Sequence, residues 1–91
     1  MAYSINYSGQ FRQRCKKRGL DIKLLHEVIE LLSTDGTLPP SYRPHILHGK
    51  LEGIWECHIK GDWLLLWKQD DKELTLLLLD TGTHSDLYDH K

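Results

Sequence analysis

The chain has 91 residues, a hydrophobic fraction of 40%, a charged fraction of 27% and a formal net charge of −1. This composition is ordinary for a folded protein and excludes intrinsic disorder. A net charge near zero argues against a protein that coats nucleic acid through bulk electrostatics. A chain this short buries only about 60–65% of the surface that it exposes when unfolded. We therefore expect one domain over residues 1–91, with any active site on a small sheet or in one cleft.

The cysteine content and the N-terminal sequence indicate a location. Cys15 and Cys57 are too few for a disulfide scaffold, and MAYSINYSGQ lacks the basic start and apolar run of a signal peptide. No apolar stretch approaches the roughly 20 residues that span a bilayer. A cytoplasmic protein without a membrane anchor is expected.

The N-terminal half predicts one strand and two helices. YSINY alternates like a short strand, and Ser8 is a plausible N-cap for a basic helix that ends at Gly19. Asp21 can cap a second helix, IKLLHEVIELLS, because its apolar residues recur at spacings of three and four, and TDG stops it.

The first of these helices carries a cluster of positive charges. Its members are Arg12, Arg14, Lys16, Lys17 and Arg18. No acidic residue separates them before Asp21, so this surface could contact a polyphosphate. A solvated helix face with no partner explains the same charges, and the charge pattern alone leaves both interpretations open.

The C-terminal half predicts three strands after a stiff loop. TLPPSYRPHILHG holds all three prolines, so we expect neither a helix nor a central strand there. The strands are GIWECHI, DWLLLWK and ELTLLLLDTG, joined by short turns. The predicted class is α+β: a two-layer sandwich of order β-α-α-β-β-β, with the helix pair on one face of a mainly antiparallel sheet and the other face open to solvent.

Alternation in the first of these strands separates its two faces. If Trp55, Cys57 and Ile59 point toward the helices, then Glu56 and His58 point away from them. A histidine and a carboxylate thus occupy the face that we expect to be open.

Further polar side chains can converge on that face. His45 comes from the proline-rich loop, Asp62 from the joint of the first hairpin, and His84 from the segment TGTHSDLY. Histidine exchanges protons near neutral pH, so three imidazoles and a carboxylate suit general acid–base catalysis. RNA offers the charge and the planar bases that the basic cluster and exposed aromatics would bind.

Four blocks of the sequence, in order, carry a family resemblance. They are YSGQF, the Leu-Pro loop ending in YRPHILHG, ECHIKGDWLLLWK, and TGTHSDLY. In these blocks the chain resembles, nearly end to end, the YafQ-type branch of the RelE/ParE superfamily of toxin–antitoxin toxins. The resemblance implies an endoribonuclease that cuts mRNA in the ribosomal A site, uses no metal cofactor and is held inactive by a cognate antitoxin.

The resemblance also implies site residues. His45, His58, Asp62 and His84 match family residues tied to activity, and Tyr88 stands where the family places an aromatic side chain. Our hypothesis makes His84 the leading acid–base residue, with His58 and His45 sharing proton transfer and phosphate contact. Asp62 would orient a histidine or take a proton, and Tyr88 would stack on a base. The expected RNA-binding set is the basic cluster together with Trp63 and Lys68.

One position departs from the family pattern. Members commonly carry arginine just before TGTH, where this chain has Asp80. A carboxylate there would repel the phosphate unless Lys68 or the basic cluster compensates. A weakened protein that binds only its antitoxin or RNA therefore stays an alternative. So does a non-enzymatic inhibitor of gyrase, as in the ParE-like relatives, although the histidines favour the nuclease.

The other histidines and tryptophans have simpler interpretations. We expect His26 to face solvent, His90 to lie in the tail, and Trp55 and Trp67 to pack in the core. HILH, with His45 and His48, has metal-like spacing, and His48 with His58 and His84 could hold zinc, but no cysteine pair supports a site, so no metal is expected.

Overall fold

The fold begins at a short strand and ends at a short helix. It is described here from a computed structural model over residues 2–88, so His90 lies outside the described residues. The elements in chain order are β1 Ser4–Tyr7, α1 Gly9–Arg14, α2 Ile22–Asp35, β2 His45–Ile46, β3 Trp55–Lys60, β4 Trp63–Asp70, β5 Thr75–Gly82 and α3 His84–Tyr88. Two 3₁₀ turns, Pro40–Tyr42 and Gly49–Leu51, flank β2.

The five strands form one mixed sheet in the order β1-β5-β4-β3-β2. β1 runs parallel to β5, and every other neighbouring pair is antiparallel. The predicted α+β class with a mainly antiparallel sheet is confirmed. Within residues 2–88 no helix is long and apolar enough to cross a bilayer.

The helix α2 closes one face of the sheet. Asp21 caps it by accepting a hydrogen bond from the Leu24 backbone amide at 3.0 Å, and Gly36 ends it in the left-handed conformation. Its buried stripe packs with buried side chains of the sheet in one cluster. The members on α2 are Leu25, Val28, Ile29 and Leu32, and those on the strands are Cys57, Ile59, Leu65, Trp67, Leu76 and Leu78.

The helix α1 is shorter than the sequence predicts. Ser8 caps it as expected, accepting from the Phe11 amide at 3.0 Å, but it ends at Arg14 rather than at Gly19. Phe11 is its buried residue. The basic residues that follow bring no apolar face to bury, and a short helix without tertiary packing is marginal. The basic cluster is therefore divided between a helix and a turn.

The second face of the sheet is not open, which corrects the sequence prediction. The helix α3 lies on it, and Leu87 is buried against Leu64 and Leu66. Leu65 and Trp67 point to the α2 side, so β4 is buried on both faces. The uninterrupted apolar run DWLLLWK is typical of a strand covered on two sides.

The proline-rich segment is more regular than predicted. It forms the 3₁₀ turns and the two-residue strand β2 at the edge of the sheet, where a neighbouring proline is tolerated. β2 pairs with β3 so that His45 stands opposite Glu56. This register places the loop histidine on the sheet itself.

Candidate active site

The structure brings the five predicted catalytic side chains into a row on the α3 side of the sheet. His45 comes from β2, His58 from β3, Asp62 from the β3–β4 turn, and His84 and Tyr88 from α3. The ring centroids of His45 and His58 are 6.5 Å apart, those of His58 and His84 are 6.1 Å apart, and those of His84 and Tyr88 are 6.0 Å apart. Neighbouring rings are therefore close enough to contact the same small group of a substrate.

One end of the row is a histidine–carboxylate pair. His84 Nδ1 is hydrogen-bonded to Asp62 Oδ1, and the His84 backbone amide lies 3.4 Å from the same oxygen. This side-chain hydrogen bond lowers the pKa of Asp62, so the carboxylate is ionised and accepts. Nδ1 then carries the proton, and Nε2 is left to exchange a proton with a substrate.

At the His45 end of the three imidazoles lies Glu56, which strand alternation assigns to this face and for which the sequence predicted no role. Its contact with Tyr88, the neighbour of His84, links the two ends of the row. The Glu56 side chain is only 7% exposed. Oε1 lies 3.0 Å from His45 Nε2, and Oε2 accepts a hydrogen bond from the Tyr88 hydroxyl. A buried carboxylate needs such partners because desolvation is costly. The shared alternation of Glu56 and His58 was the available sequence signal.

Glu56 contacts the phenol of Tyr88 and the imidazole of His45. Burial and the hydrogen bond to the Glu56 carboxylate raise the pKa of Tyr88, so the phenol stays protonated. The His45 ring lies between two acceptors, because its Nδ1 is 2.8 Å from the Arg43 carbonyl oxygen and its Nε2 faces Glu56. An imidazolium at His45 could donate to both acceptors at once.

His58 stands between these two pairs. Its ring is half-buried, and within residues 2–88 it makes no hydrogen bond. Both of its nitrogens are therefore available to a substrate. His48, by contrast, is exposed and lies 3.7 Å from Glu52, outside the row.

The predicted RNA-binding residues divide into separate groups. Arg12 lies over the Tyr7 ring at 5.7 Å, on the groove between α1 and α2. Lys68 is exposed on β4, two residues beyond Leu66, which pairs with Glu56. Arg14 is engaged by acidic groups of β5 and α3. The structure does not bring these three together.

The remaining members share a groove of about 560 Å³, which Arg14 and Asp86 also line. Lys16, Lys17 and Arg18 line one side, and Trp63 and Thr83 line another. Trp63 follows Asp62 in the chain and Thr83 precedes His84, so the groove adjoins the histidine row. The indole of Trp63 is fixed by donating to Thr81 Oγ1 at 2.8 Å. The groove therefore reaches two residues that neighbour Asp62 and His84 in the chain.

The structure agrees with the predictions for one further histidine and two tryptophans. His26 is exposed on α2, as predicted. Trp55 and Trp67 stack with centroids 6.0 Å apart and pack in the main core, as predicted. Among residues 2–88 no group of three or more His, Cys, Asp or Glu side chains is arranged to hold a metal ion.

Comparison with known proteins identifies relatives over nearly the whole chain. The family model for the bacterial toxin of type II toxin–antitoxin systems, YafQ, matches residues 3–89. The mRNA interferase toxin YafQ of Escherichia coli K12 is 36% identical over 88 residues, covering 92% of this chain and 94% of that protein.

Solved structures agree with the sequence comparison. The crystal structure of the E. coli DinJ–YafQ complex matches with a TM-score of 0.81 at 33% identity, over 94% of this chain and 98% of that one. The crystal structure of a metal-bound toxin from Helicobacter pylori matches with a TM-score of 0.84 at 40% identity, over 97% of this chain and 100% of that one.

The fold and the site define a small α+β protein with a row of imidazoles on the sheet face that its C-terminal helix covers. The chain belongs to the YafQ family of bacterial toxins of type II toxin–antitoxin systems. The resemblance seen in the four sequence blocks is confirmed.

Proposed function

We propose that this protein is the toxin of a type II toxin–antitoxin system and an endoribonuclease that cuts mRNA in the ribosomal A site. The observation that carries the proposal is the row of His45, His58 and His84, with a carboxylate paired to the imidazole at each end. A relative in E. coli is named an mRNA interferase toxin, which supports RNA as the substrate.

RNA can be cut by such a row without a protein nucleophile. A general base removes the proton of the 2′-hydroxyl, and O2′ attacks the adjacent phosphorus. The bond from phosphorus to O5′ then breaks, and a general acid protonates the leaving O5′. The products are a 2′,3′-cyclic phosphate and a 5′-hydroxyl. Each positioned acid or base contributes about 10²–10⁴-fold to the rate.

The contacts support an assignment of roles along the row. His84, oriented by Asp62 through Nδ1, exchanges protons through Nε2 as the leading acid–base group. His58 has free nitrogens and is its partner in proton transfer. His45, held between Glu56 and the Arg43 carbonyl, would when protonated stabilise the negative charge that develops on the phosphate oxygens.

The aromatic and basic side chains would hold the strand. Tyr88 is 40% exposed and lies beside His84 while its hydroxyl is bonded to Glu56, so a base could stack on its ring. The groove of Lys16, Lys17, Arg18 and Trp63 would take phosphates that flank the cut. Lys68 and Arg12 would contact the RNA at positions farther from the cut.

The open position of the row favours a site that the ribosome completes. Asp62 and His84 have side chains 60% and 55% exposed, so the protein by itself does little to immobilise an RNA strand. A codon held in the A site would arrive already positioned, and positioning can lower a barrier by about 7–11 kcal/mol. The protein would act in the cytoplasm, where translation takes place.

The antitoxin partner is proposed on related grounds. The E. coli relative forms a complex with DinJ. A basic cluster on a small protein suits capture by an acidic segment that folds on binding. Such a partner would keep the toxin inactive by covering the groove or the row.

Primer extension on mRNA in a translating extract tests the proposal. We expect cuts within ribosome-occupied reading frames with the parent protein, and about 10²-fold or more slower cleavage with His84→Ala and with His58→Ala. His26→Ala is the matched control, because this histidine is exposed on α2 away from the row. Parent-like cleavage by both variants would refute the assignment. Growth arrest without any cleavage would favour the non-enzymatic inhibitor.

A further inference from the structure

Arg14 connects three elements that are far apart in sequence. Its Nε lies 3.0 Å from Asp80 Oδ1 on β5. Its Nη2 donates to the Asp86 backbone oxygen on α3 at 2.7 Å, and its Nη1 lies 3.8 Å from Asp86 Oδ1. The Arg14 and Asp80 side chains are 24% and 17% exposed, so this contact is largely shielded from solvent. One guanidinium thus joins α1, β5 and α3.

The helix that Arg14 contacts cannot be stable by itself. α3 has five residues, and an isolated helix shorter than about 12–15 residues is marginal in water. A reciprocal capping box closes its first turn: the Thr83 amide donates to Asp86 Oδ2 at 3.0 Å, and the Asp86 amide donates to Thr83 Oγ1 at 3.1 Å. His84 lies inside this turn.

We propose that Arg14, oriented by Asp80, is a positioning residue for RNA cleavage: it fixes the first turn of α3 and thereby holds the His84 ring on Asp62. This inference rests on the proposed function, in which His84 is the leading acid–base group. It also gives Asp80 a purpose. The carboxylate that departs from the family pattern forms the fixed end of an ion pair, and its charge is compensated by Arg14.

A competing role for Arg14 makes the opposite prediction for Asp80. If Arg14 contacted an RNA phosphate, removing Asp80 would release the guanidinium and remove a negative charge, so cleavage would hold or rise. If Arg14 is a positioning residue, loss of Asp80 frees the guanidinium from β5 and cleavage falls. Asp80→Ala therefore separates the two roles by the sign of its effect.

Two measurements on the same variants test the proposal. We expect Arg14→Ala and Asp80→Ala each to slow mRNA cleavage in a translating extract by about 10–100-fold. A displacement of the His84 ring by about 1 Å is enough for such a loss of rate. Lys23→Ala, which removes one positive charge from the exposed side of α2, is the control and should cleave at the parent rate.

The second measurement follows the Asp62 carboxyl by NMR titration and needs no RNA. In the parent, hydrogen bonding to His84 holds the pKa of Asp62 below its ordinary value. We expect that pKa to return toward the ordinary value in both variants, because the His84 ring moves away. If Arg14→Ala fails to fold, Arg14→Lys takes its place. Lysine keeps the charge but lacks the planar fork, so we expect the same slower cleavage and the same change in the Asp62 pKa.

Several results would overturn the inference. They are an unchanged Asp62 pKa in both variants, or parent-like cleavage by Asp80→Ala beside a slow Arg14→Ala. If instead the Asp62 pKa responds as expected but His84→Ala cleaves at the parent rate, the positioning contact stands and the proposed function fails. The two proposals are thus tested separately.

Discussion

Glu56 shows how one buried carboxylate can organise a site. It sits between the ring of His45 and the hydroxyl of Tyr88, and its side chain is 7% exposed. Neither partner is near it in sequence, so both contacts depend on the strand pairing and on α3. The residue is best described as a positioning group, because it holds two side chains that would meet the RNA.

We expect Glu56→Gln to affect both stability and cleavage. The amide cannot accept from His45 and Tyr88 as a carboxylate does, and an unsatisfied buried group costs about 1–3 kcal/mol. Urea unfolding should show this loss, and cleavage should fall by about tenfold or more. Glu52→Gln is the control, since Glu52 is exposed beside His48 and should change neither quantity. Equal stability of the two variants would contradict the role of Glu56.

The sequence predicted which residues belong to the row better than it predicted the contacts that those residues make. His58 and Asp62 stood out because they interrupt an apolar hairpin, and His45 and His84 came from segments expected at the same rim. The pairing of Glu56 with His45 required the register of β2, a two-residue strand too short to show any periodicity. The engagement of Arg14 by Asp80 is a contact between distant residues that charge counting does not reveal.

At the scale of elements, long periodic segments were predicted well and short ones were not. α2 begins after Asp21 and ends at Gly36 as expected, because its buried stripe spans several turns. α3 has only five residues, and its position on the sheet follows from Leu87 meeting Leu64 and Leu66. The apolar run of β4 contained that information, since a strand with one open face would alternate.

The end of α2 yields a stability prediction with a matched control. Gly36 has φ of 72°, and a Cβ there would lie 2.7 Å from the Tyr3 hydroxyl, which donates to Asp71. Gly19 has φ of 78° with nothing within 4 Å. Gly19→Ala should therefore cost only the left-handed backbone strain, about 1–2 kcal/mol, while Gly36→Ala should cost more.

Thermal unfolding measures the difference between the two glycine variants. Each kcal/mol corresponds to a shift in Tm of about 4–8 °C for a domain of this size. A Gly36→Ala protein that melts at or above the temperature of Gly19→Ala would show that Tyr3 can move aside at no cost.

For the whole molecule, the buried thiol of Cys57 predicts how stability depends on alkaline pH. Burial, with a smaller effect of the Glu56 charge, raises the pKa of Cys57 from 9.0 to about 12. The unfolded thiol ionises first, so the unfolded state gains stability relative to the folded one as pH rises through 9. The contribution of Cys57 to the free energy of unfolding is therefore complete below about pH 9 and is lost progressively up to about pH 12.

Urea unfolding at pH 8 and at pH 10 tests this dependence. One such group lowers the free energy of unfolding by about 1.4 kcal/mol over that interval. Cys57→Ala should show a decline smaller by that amount, whatever its stability at pH 8. If the parent and the variant lose the same free energy, the thiol is not responsible.

The parallel pairing of β1 with β5 has a consequence for the order in which the chain folds during its synthesis. Ser4 pairs with Thr75, so the first strand has no partner until β5 has been synthesised, whereas the β3–β4 hairpin can close locally. Such long-range closure is slow compared with local pairing. α3, which carries His84 and Tyr88, is made later still. A nascent chain therefore exposes β1, α1 and α2 before it possesses an assembled histidine row, and a partner that binds those elements during translation would meet the toxin while it is still harmless.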